Sequence, residues 1–291
     1  MAEYTDILMK HVYIFIKQNF YRFDKELNAF CKDNEWEKLK LVHLSTTNVH
    51  ITLALIFSYF DLYVIKDNFY YEYLNELDKN TLLFAFLLHD ISKHIKLNHD
   101  LKEEFGPERQ PADVIHPFKS AATALIILYN NNYLFDDNQD NKTNTNNDTT
   151  YIKSLIDEIY DFLIKSVKIE FVKKKDKECY IMDNTNVLTL LENFNKLRKL
   201  SDKNNWIVDI VLLIAFHQSL PNNKFNMSVC ILDDEKIQKI FNLRLMLLMK
   251  IFMLNDSGVH SLYKLHHEFH EQIIENMDET INRLFLKMKD D

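Results

Sequence analysis

A histidine followed directly by an aspartate, His89-Asp90, closes an unbroken apolar run, Leu82 to Leu88. A neutral imidazole offers a metal ion one nitrogen and a carboxylate offers up to two oxygens. The end of a buried helix is a rigid place from which to present both. Lys93 follows three residues later; on a helical turn its amine projects over the same pocket, where it would hold a phosphate as a point charge. The same dipeptide also suits a capped helix whose histidine and aspartate are simply solvated. Matching ligands elsewhere in the chain decide between the two readings.

Four further stretches supply candidates. His43 and His50 lie seven residues apart on a helix expected over about 36–63, hence on one face two turns apart. His50 is the preferred ligand, because the small residues Ala54 and Ser58 follow it at four and eight residues and allow close helix packing. His116 precedes Pro117 and an Ala-containing helical run, which places it in the N-cap region of a helix, with Lys119 one turn along. His217 ends the nearly apolar run Trp206 to Phe216 and repeats the arrangement at His89. Asp256 follows a long apolar helix expected over 240–254, with Gly258 as its stop. An anion at that end of a helix dipole implies a positive partner. His94, His99, His260, His266, His267 and His270 sit in charged surroundings and read as surface residues, and Met246, Met249 and Met253 as core.

The elements that carry these side chains are expected to be helices. The chain of 291 residues is 47% hydrophobic, enough for a substantial core, yet it holds only two glycines and four prolines. That scarcity argues against sandwiches, barrels and Gly-rich nucleotide folds, whose tight turns need positive φ. The expected fold class is therefore all-α, as a single domain over 1–291 with an insertion at about 131–205. Within the insertion, 136–150 is a tract of Asn, Asp and Thr that reads as disordered, and 167–183 reads as a small β-hairpin. The stretch 69–79 reads as a polar-aromatic connector, and 101–111 as a loop.

Charge and cysteine content limit the partners. A formal charge of −8 gives no overall basic footprint for nucleic acid. Cys31, Cys179 and Cys230 are odd in number and far apart, which argues against a disulfide framework or a zinc finger and favours a reducing, cytoplasmic setting. The N-terminal stretch reads as an amphipathic helix and not as a signal peptide. The uncharged run 41–60 is broken by His43, Asn48 and His50, so no transmembrane segment is expected.

The ordered set His50, His89-Asp90, His116, His217 and Asp256 resembles the HD-domain metal-dependent phosphohydrolases, whose ligands run His, His-Asp, His, His, Asp along a helical bundle. LLHDISK is similar to the LLHDIGK form of that family; HPFKSA, IAFHQ and MLNDS resemble the segments that carry the third histidine, the fourth histidine and the last aspartate. The resemblance covers about 40–260 and implies an HD-like helical bundle. It implies that His50, His89, Asp90 and Asp256 surround one metal, and that Asp90 bridges to a second held by His116 and His217. It assigns catalysis to Asp90 with Lys93, and phosphate binding to Lys93, Lys119 and Arg244. Two ions roughly 3.5–4 Å apart would turn a bridging water into hydroxide and neutralise an in-line phosphate. The donor types suit Mn, Fe, Co, Ni or Zn, with Mg admitted where protein ligands are few. The implied activity is hydrolysis of a phosphomonoester or phosphodiester, in a nucleotide or a nucleic acid. Ser92 stands where the family usually has Gly, Gln218 stands where many two-metal members have a second His, and no GYP follows it. That last departure argues against a cyclic-di-GMP phosphodiesterase. Two alternatives use the same residues: an HD nuclease acting on single strands, and a non-catalytic bundle that binds a protein partner.

Overall fold

The computed structural model describes residues 74–90, 112–130, 146–166, 169–174, 177–182, 185–217, 234–264 and 275–286. His43, His50, Lys93, His94, His99 and the loop expected over 101–111 lie outside the described residues. The chain divides into two compact units, one formed by Met1–Asp90 with Phe241–Asp291 and the other by Ile91–Ile240. The described residues are predominantly helical, and among them no helix is long and apolar enough to cross a membrane.

In the first unit, α1 (Glu76–Leu88) starts earlier than the apolar run that announces it. Asn75 caps it: its side chain accepts the Asp78 N–H at 2.9 Å, and the Asp78 carboxylate accepts the Asn75 N–H at 3.0 Å. This reciprocal capping satisfies two backbone donors that a helix start otherwise leaves orphaned. The stretch 69–79 is thus not all connector, since its last residues form the first turn of α1. From Thr81 to Leu88 every residue is buried, so α1 is a core helix on all sides.

The helices of the second unit are α2 (Ala112–Asn130), α3 (Asn146–Asp161), α4 (Thr185–Arg198), α5 (Asp202–Phe216) and α6 (Asp234–Ile240). A π-helical turn, Phe162–Ser166, follows α3. The first unit then continues with α7 (Leu243–Lys264) and a helical segment over 275–286.

Helix α7 packs against α1. It does not stop at Gly258 but runs on to Lys264. A lone glycine weakens a helix interior by only about 1 kcal/mol, less than the backbone bonds of a continuing helix return. Asp256 is therefore a mid-helix residue, and the dipole argument for its partner does not apply. The buried Lys250 of α7 bonds to Asp278 and ties the C-terminal segment to the same unit.

The second unit is built on α5. Ser201 caps it by accepting the Asn204 N–H at 3.2 Å, and Trp206 to Phe216 are all buried. Helices α2 and α4 both pack on α5, and α3 packs on α2 and α4, which closes a ring of four helices. Helices α2 and α5 run antiparallel: Lys203 lies over the Tyr129 ring at one end, and Phe118 meets Phe216 edge-to-face at 5.9 Å at the other. Arg198 crosses from α4 to the buried Asp209 of α5 at 2.6 Å, and Asn193 of α4 donates to Glu158 of α3 at 3.2 Å.

Helix α3 begins at Asn146, inside the polar tract read as disordered. Asn and Asp are favoured at helix starts, where their side chains accept orphan N–H groups. A composition that suggests disorder therefore also suits the first turn of a helix. Strands β1 (Ile169–Lys174) and β2 (Lys177–Met182) pair antiparallel, with Ile169 opposite Met182 and Lys174 opposite Lys177.

Candidate metal centre

His89 is the C-cap of α1, in right-handed helical geometry at φ −62° and ψ −29°. Its Nδ1 lies 2.8 Å from the Phe86 carbonyl oxygen, one turn back. A carbonyl only accepts, so Nδ1 carries the proton and donates it. That bond fixes the ring's tautomer and orientation, as outer-shell bonds do for ligating histidines. The other nitrogen, Nε2, is left to face the carboxylates, 3.3 Å from Asp256 Oδ1 and 3.6 Å from Asp90 Oδ2. His89 and Asp90 are each only 1% exposed, while the Asp256 side chain is 15% exposed.

An aromatic wall holds the ring in place. Phe86 and Phe252 stack with centroids 4.3 Å apart and planes 5° from parallel, and His89 sits edge-on to Phe252 at 5.5 Å. Burial opposes a charge on the His89 ring, but Asp90 and the Asp256 contact outweigh it. The net result is a pKa raised above the ordinary histidine value of 6.5.

The second unit brings His116 and His217 together. Their ring centroids are 5.4 Å apart with planes at 61°, and both residues are buried. His217 repeats the arrangement of His89. It is the C-cap of an apolar helix, at φ −63° and ψ −16°, and its Nδ1 lies 2.7 Å from the Ile214 carbonyl oxygen. The α2–α5 antiparallel packing explains the meeting, since it sets the start of α2 beside the end of α5. His116 is not an N-cap residue: α2 begins at Ala112, which puts His116 one turn inside the helix and Pro117 within it. Pro at that depth removes one backbone donor. Lys119 is half-buried, one turn beyond His116.

Arg244 stands elsewhere. Its Nε donates to Oδ1 of the buried Asp78 carboxylate, and its Nη2 forms an ion pair with the same oxygen, at the starts of α7 and α1. Asp78 was not singled out from the sequence, although Asn75 and Asp78 have the three-residue spacing of a capping pair.

The two clusters together contain five of the six expected ligands; the sixth, His50, lies outside the described residues. Among the described residues, no group of three or more His, Cys, Asp or Glu side chains has a geometry that could hold a metal ion. The spacing at His89 is that of an imidazolium–carboxylate pair. The chemistry of the donors nevertheless fits a divalent transition metal: two carboxylates and an imidazole whose tautomer presents Nε2. A proton and a metal ion would compete for the same nitrogen. No protein-family model, curated protein or solved structure matches the chain.

Proposed function

We propose that the chain is a metal-dependent phosphohydrolase of the HD type that cleaves a phosphomonoester or phosphodiester, with a nucleotide as its substrate class. The observation that carries this reading is the convergence of His89 Nε2 with the carboxylates of Asp90 and Asp256, the ring being locked by the Phe86 carbonyl. The His116–His217 pair supports it by supplying the third and fourth histidines of the ligand order, one of them locked in the same way.

His89, Asp90 and Asp256 would hold the metal in the first unit. A bound divalent ion there supplies Lewis acidity and a water of lowered pKa. The residues contribute the rest: the Phe86 carbonyl keeps the proton on Nδ1, and the buried Phe252 ring keeps solvent from one side of the imidazole. In the second unit Lys119, one turn beyond His116, would neutralise a phosphate oxygen as a point charge, and Lys93 is the other candidate for that role. Arg244 is engaged with Asp78, so any phosphate it met would see only its remaining N–H groups. The net charge of −8 favours a small nucleotide over a long nucleic acid strand.

The test is elemental analysis of the purified chain, followed by hydrolysis of a panel of nucleotides, phosphodiesters and single-stranded DNA with Mn, Fe, Co, Ni, Zn or Mg. The expected result is bound metal and metal-dependent release of phosphate or nucleotide, both lost in Asp90→Ala. Full turnover in Asp90→Ala, or a folded chain that takes up none of these metals, would overturn the reading. Preference for the DNA strand would move it to the nuclease class.

A further inference from the structure

The His89–Asp256 contact is the last of three that align α1 with α7. Asp78 meets Arg244 near the start of both helices, Phe86 stacks on Phe252 eight residues further along each, and His89 meets Asp256 at the far end. The contacts fall in the same order along both helices, at steps of eight and three residues on the α1 side and eight and four on α7, so the two helices run parallel. On α7 the three residues fall on one row, since Arg244, Leu248, Phe252 and Asp256 follow one another at intervals of four. On α1 the matching residues are Asp78 and Phe86, with His89 following as its C-cap. A ring stack resists sliding poorly, because two flat faces can shear past one another while still in contact. A guanidinium on a carboxylate resists it better, because its charge-assisted Nε–H bond to Asp78 Oδ1 is directional. The other oxygen of Asp78 is fixed by the Asn75 backbone N–H, so the guanidinium grips an anchored group.

We propose that Arg244 is a positioning residue: by gripping Asp78 it sets the axial register of α7 on α1, and so the meeting of Asp256 with His89 about 18 Å further along the helix. This assigns Arg244 a role at the candidate site without a substrate contact. The placement holds whatever reaction the site performs, and its test needs no substrate.

The experiment reads the ring-nitrogen resonances of His89 in the full-length, metal-free chain, labelled with ¹⁵N-histidine and assigned by their absence in His89→Gln. Asp78→Asn keeps an oxygen for the Asn75 N–H but severs the ion pair. The double variant Asp78→Asn/Arg244→Gln removes both charges and leaves no isolated buried carboxylate to disrupt folding. Both are expected to shift the His89 Nε2 resonance to the same new position, while the His217 resonances, from the other unit, stay in place. Arg244→Lys keeps the charge but not the directional guanidinium N–H, so it is expected to displace the His89 signal in the same direction and less far. A His89 signal unmoved in the folded double variant overturns the proposal. So does an equal displacement of His217, which would mark general loosening, and so does an Arg244→Lys variant indistinguishable from wild type.

Discussion

His89 and Asp256 lie far apart in sequence and 3.3 Å apart in space, where an imidazole nitrogen on the end of one helix faces a carboxylate in the middle of another. The contact is not an incidental surface pair. The histidine is 1% exposed, and its second nitrogen is already committed to the Phe86 carbonyl. A buried group with one nitrogen fixed and the other facing two carboxylates has two ways to be satisfied, by a proton or by a metal ion.

The folded-state pKa of His89 is raised, with burial opposing the rise and Asp90 and Asp256 producing it. The native state therefore holds the proton more tightly than the unfolded state. Stability from this group is fully present below the unfolded value of 6.5 and is lost as pH rises through the higher folded value. Each tenfold gain in proton affinity corresponds to about 1.4 kcal/mol. Urea melts of the metal-free chain between acid and alkaline pH should show this fall, and His89→Gln should flatten it; an unchanged slope in that variant would refute the assignment. Zn uptake should run the opposite way and strengthen with rising pH, because the proton must leave Nε2 first.

Removing the cap of α1 should also be measurable. Asn75→Ala deletes the acceptor for the Asp78 N–H. It should destabilise the chain by about 1 kcal/mol in denaturant melts. Asn75→Asp retains the acceptor and should lose far less. Equal losses in both variants would show that the cap contributes nothing.

Phe252 should matter more than its distance from any charge suggests. It is fully buried, stacks on Phe86 and meets the His89 ring edge-on. Phe252→Ala should cost about 3–5 kcal/mol. Phe252→Leu should cost less, because it keeps more of the side-chain volume. Chemical denaturation measures both, and a loss below 1 kcal/mol for the alanine variant would contradict the packing described here.

The Arg198–Asp209 pair offers a test within the other unit. Asp209 is buried and Arg198 reaches it at 2.6 Å from the neighbouring helix. Arg198→Met removes the cation that faces this buried carboxylate, at a cost of about 3–5 kcal/mol, whereas Arg198→Met with Asp209→Leu should recover most of the loss. A double variant no more stable than the single one would show that the pair does more than neutralise charge.

Much of this arrangement was legible in the sequence, for identifiable reasons. His217 was placed at the end of a core helix because Trp206 to Phe216 is almost without polar interruption, and α5 ends at Phe216. His89 and Asp90 followed from the same logic. The starts and stops were harder. Asn75 caps α1 from within a polar-aromatic stretch that carries no apolar period, Gly258 reads as a stop but lies inside α7, and Asn146 reads as disorder but opens α3. At Gly258 a local propensity is outweighed by the continuing helix, whereas at Asn75 and Asn146 one polar composition suits both a connector and the first turn of a helix. The Asp78–Arg244 pair was out of reach for another reason. Its partners are distant in sequence, and nothing short of the α1–α7 packing names one for the other.

That parallel packing bears on which mutations the chain can absorb. From Arg244 to Asp256 the helix must deliver the Asp256 carboxylate at a set height and a set angle. One added or deleted residue there would swing everything beyond it by about 100° and move it about 1.5 Å along the axis. The number of residues in that stretch is thus as binding as their chemistry: Leu245 or Ile251 could be exchanged for another aliphatic of similar bulk, but a frame-preserving insertion between Arg244 and Asp256 would take the acid away from the ring.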